Sequence, residues 1–279
     1  MKYALIECPV TNLFQIQSLI DFKPPSAPRV RVGDLGGRVE REANLSQTGL
    51  CWITDRATVT GNACVSEDAV ISGNAKVMES ATIKGRARIS DGAIVSGSTV
   101  VSGSTLIYGE AVVTGVAVVT GEASVYGSAS VFGAARVMGY ATVHENAVVK
   151  GYATITDGAT VKGSATISGF AAIIHYAIVS GDATVCDYAM VGSGAKVFGR
   201  AVIAGNTKLA GSVIVCGDTK ISEDITINSL STISSTNEAL RAGFANKKTN
   251  RCDGVEVVFD GSHVKLMKKG LWVSRSNDN

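Results

Sequence analysis

From Ala57 to Ile233 the chain repeats every six residues with no insertion or deletion. Counted from Ala57, thirty hexads carry Ala at the first position in 23 cases and Val, Ile or Leu at the third in all 30. The fifth position is Gly in 19, with Glu, Asp, Ser or His in the others. So strict a period means one small unit repeated, with the core supplied by stacking. Alternate side chains of a strand face opposite sides, so the small residue and the aliphatic one two places later point the same way, inward. The fifth position turns the chain, which favours Gly for its freedom of backbone angle. Three strands and three turns close a triangular coil of 18 residues, so Ala57, Ala75 and Ala93 stack. The expected fold is an all-β parallel β-helix of about ten coils, roughly 48 Å long at ~4.8 Å per coil.

The A-x-V-x-G-x unit resembles the hexapeptide repeat of the left-handed parallel β-helix family, and that resemblance alone implies the left hand, against the usual right-handed crossover. Ahead of the repeats, Gly33-Asp34-Leu35-Gly36-Gly37-Arg38-Val39-Glu40, Ala43-Asn44-Leu45-Ser46-Gln47 and Gly49-Leu50-Cys51-Trp52-Ile53 resemble the lead-in segment of the YdcK-type acyltransferase-like proteins. With the repeats, the resemblance covers about residues 33 to 233. It implies homotrimers packed side by side and, for members that are enzymes, acyl transfer from coenzyme A or another thioester.

Composition agrees with one rigid body: 6% aromatic residues and 31 Gly suit a thin aliphatic core. A formal net charge of +2 gives no pull towards nucleic acid or an anionic membrane. No leader and no membrane-spanning apolar run are read, so the expectation is a cytoplasmic protein. Cys8, Cys51, Cys64, Cys186, Cys216 and Cys252 show neither metal spacing nor C-x-x-C. They read as free thiols of a reducing compartment, with Cys51 inward and Cys64, Cys186 and Cys216 outward. The ends break the rhythm and divide the chain into a capping segment (1–50), the β-helix (51–233) and a C-terminal cap (234–279). In the first, Tyr3 to Glu7 and Phe14 to Ile20 are strand-like, with a turn at Pro24-Pro25 before Arg29 to Val32. In the last, Asn237 to Ala245 suits a helix, and Val255 to Phe259 with His263 to Met267 suits a hairpin.

An unbroken register places outward residues 18 apart in columns. Tyr108, Tyr126, His144 and Lys162, with Phe198 further on, form one, beside Val70, Leu106, Ile178 and Ile214. An aromatic and aliphatic stripe on a solvent-facing sheet points to a subunit interface. Tyr152, Phe170 and Tyr188 form a second column at a corner, where stacked rings stiffen the edge or bind a partner such as a protein or a saccharide.

Chemistry has few groups to draw on. His175, in Ile173-Ile174-His175-Tyr176-Ala177, occupies a turn position, and the family resemblance implies for it the role of general base at a subunit junction, with Asp157 one coil earlier as its orienting partner. Against catalysis stand the absence of an extruded loop in any coil and the lack of a clear helical domain for an acyl donor. The three histidines do not read as a zinc set, because His144 and His175 fall on different faces and His263 lies in the tail. Two readings therefore stay open. The first is a rigid, trimeric binding or scaffold protein with no cofactor; the second is an acyltransferase using acetyl coenzyme A, with His175 as base.

Overall fold

The computed structural model describes residues 1–8, 12–228 and 232–236, and the backbone of strands Val255–Asp260 and His263–Lys268. The chain winds as a parallel β-solenoid of about eleven coils, almost without helix. Its three faces are named here in the order the chain visits them. The first face carries thirteen strands, the first two of them antiparallel, and the second and third carry ten and eleven. Most strands are two residues long, one outward and one inward, as in Thr154–Ile155. Partners lie 18 residues apart, as in Thr154 with Ala172 and Ile155 with Ile173.

Inside, the first-position and third-position residues meet as read: Ala111, Val113, Ala117, Val119, Ala123 and Val125 are fully buried. Each coil bonds to the next at the outward strand residue, the residue after the strand and the turn. Val112 N–H donates to Ala129 O at 2.9 Å, Thr114 to Val131 O at 2.9 Å and Val116 to Gly133 O at 2.8 Å. The turn bond requires two coils to approach closely at the fifth position. At Gly115, φ is +81° and an added Cβ would stand 2.7 Å from Gly133 O, which explains the preference for Gly there.

The expected ten coils become about eleven because the solenoid begins before the periodic sequence does. Strand β3 (Leu35–Val39) pairs parallel with β5 (Thr58–Val59) at an offset of 20, and Leu45 bridges Val65 at the same offset. By β4 (Trp52–Ile53) the offset is 18. The first coil therefore holds two extra residues, and they fall between Leu45 and Trp52. Upstream, β1 (Tyr3–Glu7) and β2 (Phe14–Ser18) add antiparallel to β3 and cover the exposed edge of the first face. Phe22 and Val30 form a small bridge, and the Phe22 ring packs edge-on to Trp52 at 5.4 Å, covering the start of the third face.

At the other end, Val255–Asp260 and His263–Lys268 pair antiparallel, as the hairpin pattern predicts. The expected helix from Asn237 to Ala245 lies outside the described residues, as does Cys252. Cys51, Cys64, Cys186 and Cys216 carry free thiols, Cys51 buried and the other three half-buried. No helix among the described residues is long and apolar enough to cross a membrane.

Candidate functional site

The three edges between faces carry what the fold displays. On the third edge, where the third face turns into the first, Tyr108 stacks on Tyr126 at 4.7 Å and Tyr126 on His144 at 4.8 Å, with planes 4° and 9° apart. Tyr108, Tyr126, His144 and Lys162 are all half-buried, while Phe198 is exposed. Burial raises the Tyr108 hydroxyl above its usual 10.0, helped by Tyr126 and Asp91. Burial lowers His144 below its usual 6.5; Glu145, whose carboxylate is 3.5 Å from Nδ1, opposes this, and Lys162 adds to it. Beside the stack, Val70 is buried and Leu106, Ile178 and Ile214 are half-buried.

The first edge carries Tyr152, Phe170 and Tyr188. Their rings stack at 4.9 and 5.1 Å with planes 3° and 2° apart, and all three are exposed. This geometry bears on what the column can hold. Phe170 uses both ring faces on its neighbours and Tyr152 and Tyr188 one each, so along the column the surface shown to solvent is a row of ring edges and two hydroxyls. A sugar stacks on a ring face; a ladder of edges suits a protein side chain better.

The second edge carries His175 and Asp157. His175 has φ +56° and Asp157 +58°, the left-handed conformation that every described Gly at this turn position also adopts. The Asp157 carboxylate accepts a hydrogen bond from the backbone N–H of His175 at 3.2 Å, so the pair meets through His175's main chain and not through its imidazole. The arrangement recurs. Asp55 takes the N–H of Gly73, Glu67 that of Gly85, Glu79 that of Gly97, Asp91 that of Gly109, Glu145 that of Gly163 and Asp187 that of Gly205, at 2.8–3.1 Å. Acidic turn residues thus satisfy the one turn N–H that the coil-to-coil ladder leaves open, one coil further on. Asp157 belongs to that structural series. Cys186 sits beside another member, and burial, together with Asp187, raises its thiol.

The solenoid therefore separates His144 and His175 onto different edges, and no group of three or more His, Cys, Asp or Glu among the described residues is placed to hold a metal ion. Two exposed rings escaped the column reading. Tyr140 and Tyr176 also stand on the second edge, two coils apart, with Gly158 between them. Their spacing is twice the 18-residue step, so neither ring has an aromatic neighbour in an adjacent coil of its column. A scan of family models and a search of curated proteins each found no match, so the edges of the solenoid themselves carry the functional reading.

Proposed function

We propose that the protein is a rigid binding or scaffold protein that assembles as a homotrimer through its third edge. The observation that carries this reading is the Tyr108–Tyr126–His144 stack, half-buried beside Leu106, Ile178 and Ile214 on an otherwise solvent-facing sheet. An apolar stripe of this kind on a soluble body is a place for another surface. The unbroken coil register from Ala57 supports a structural role, since every turn is spent on stacking. The repeat resembles that of the left-handed hexapeptide-repeat proteins, the YdcK-type among them, and the free thiols fit a cytoplasmic setting.

The other reading is acyl transfer with His175 as general base and acetyl coenzyme A as donor. What favours it is an exposed imidazole at an edge, where a neighbouring subunit could complete a cleft. What weakens it is that Asp157 holds the His175 backbone, leaving the imidazole without its carboxylate partner. A thermal-shift titration with acetyl coenzyme A separates the two. The scaffold reading predicts no shift and an inert His175→Ala variant. A saturable stabilisation of about 2–4 kcal/mol at high ligand excess, with turnover lost in His175→Ala, would overturn it in favour of the enzyme.

A further inference from the structure

The first and third edges show the spacing at which this fold stacks rings: one per coil, with centroids 4.7–5.1 Å apart. The second edge departs from that rule. Its column reads Glu122, Tyr140, Gly158, Tyr176 and Gly194 at steps of 18 residues. Tyr140 and Tyr176 therefore stand two coils apart, roughly 9.6 Å, with a glycine on the step between. They are also the most open rings on the solenoid, at 67% and 77% exposure, and neither stacks on another ring among the described residues. The column is a ladder with one rung left out.

The step has no side chain of its own, and the ring of Tyr176 fills it. Gly158 does not adopt the left-handed conformation, and a Cβ there would meet the Cδ1 and Cε1 atoms of Tyr176 at 2.7 Å, with His175 O next at 3.6 Å. Tyr176 thus leans onto the glycine. Swung to the pose that Tyr188 takes on Phe170, Tyr176 would leave a step one flat group thick, bounded by two tyrosine faces. Charge then selects the group. Asp157 immediately precedes the floor glycine, while Arg136 sits on the flat of the second face and Lys162 on the third edge. Electron-rich faces beside a carboxylate suit a planar cation.

We propose that the second edge is a binding site for the guanidinium group of an arginine on a partner protein, held between Tyr140 and Tyr176 over Gly158. The side chain stacks between the rings, and Asp157, one oxygen of which accepts from the His175 N–H, supplies the countercharge. Lysine, a compact charge without a planar face, fits this slot less well. The proposal rests on the reading of the solenoid as a binding protein, and the two fail separately, because assembly is read at the third edge and arginine at the second.

The test is fluorine NMR of the full chain carrying fluorotyrosine, titrated with N-acetyl-arginine amide and, in parallel, N-acetyl-lysine amide. The arginine probe should shift the Tyr140 and Tyr176 signals saturably, and the lysine probe should bind at least about fivefold more weakly. Gly158→Phe supplies the missing rung from the chain itself; it should abolish the arginine response and raise the melting temperature. Tyr140→Ala, at an exposed position, provides the same loss of response should Gly158→Phe fold poorly. No saturable shift with arginine, an equal response to lysine, or an undiminished response in either variant overturns the proposal, whatever the oligomeric state.

Discussion

The first coil and the repeating body solve the same problem by different means. Every strand must find partners for its backbone groups on both sides. From Ala57 onward the next coil supplies them, so any one residue matters little and the pattern matters a great deal. Before Ala57, individual side chains supply many of the partners that strand pairing leaves out. The Gln47 amide takes the N–H groups of Lys2 and Tyr3 at 2.8 and 3.3 Å and gives its own N–H to Tyr3 O, standing in for a neighbouring strand. Buried Asn44 accepts from the N–H groups of Glu40 and Arg41 and donates to Gly61 O and Ala63 O. Lys2, only 3% exposed, reaches the Cys51 carbonyl at 2.9 Å and its sulfur at 3.2 Å, and lies over the Phe22 ring. Tyr3 Oη lies 2.6 Å from Leu45 O and 2.9 Å from Glu42 O, and burial raises its hydroxyl far above the usual range. Periodic structure spreads stability over many equivalent bonds; a cap concentrates it in a few unlike ones.

That contrast is sharpest at Asn44. Asn44→Leu removes four hydrogen bonds, of whose backbone partners Glu40 N–H keeps Val59 O at 3.0 Å, and should destabilise the first coil on the order of 3 kcal/mol, seen as faster amide exchange at Ser46 and Cys51 while the body from residue 100 onward keeps its protection. Loss of protection throughout would show that cap and body unfold as one. Within the body, only the close-approach glycines should carry a comparable penalty. Gly115→Ala, at φ +81° against Gly133, should cost about 2 kcal/mol, whereas outward Thr166→Ala should stay within about 0.5 kcal/mol.

The body was legible in the sequence because its signal repeats. Residues such as Ala117 and Val119 announce their burial by their place in the hexad, and the 18-residue step aligned Tyr108 with Tyr126 and Tyr152 with Phe170 before any coordinates. The first coil was not, because nothing periodic marks Lys2, Asn44 or Gln47, whose cross-coil partners lie 17 to 49 residues away in sequence. Among candidate site residues, the column alignment was readable and the direction of hydrogen bonds was not. That Asp157 serves the His175 main chain follows from the left-handed turn and the unpaired N–H it leaves one coil on, which only the stacked structure displays.

Smaller effects probe the body from within. Phe170→Ala breaks the first-edge ladder and should cost about 1 kcal/mol beyond its lost area, measured by denaturant unfolding. Thr105 occupies an inward alanine position with its hydroxyl buried and unpartnered, so Thr105→Val should stabilise by about 1 kcal/mol. Thr99, whose hydroxyl bonds Ser96 O at 2.6 Å, should lose stability on the same change. The smallest effect is at His144. Its folded pKa is below the usual 6.5, so the unfolded chain binds the proton more readily. Stability is full above about 6.5 and falls as pH drops through that value towards the lower folded pKa, and His144→Gln should flatten this part of the profile.

The central claim is that the third edge is an assembly surface, and sedimentation equilibrium of the wild-type chain beside Tyr126→Glu tests it most directly. Three chain masses for the wild type, and one for a variant whose melting profile shows it still folded, is the predicted result. A wild type that sediments as a single chain, or a Tyr126→Glu variant that remains trimeric, would contradict the account.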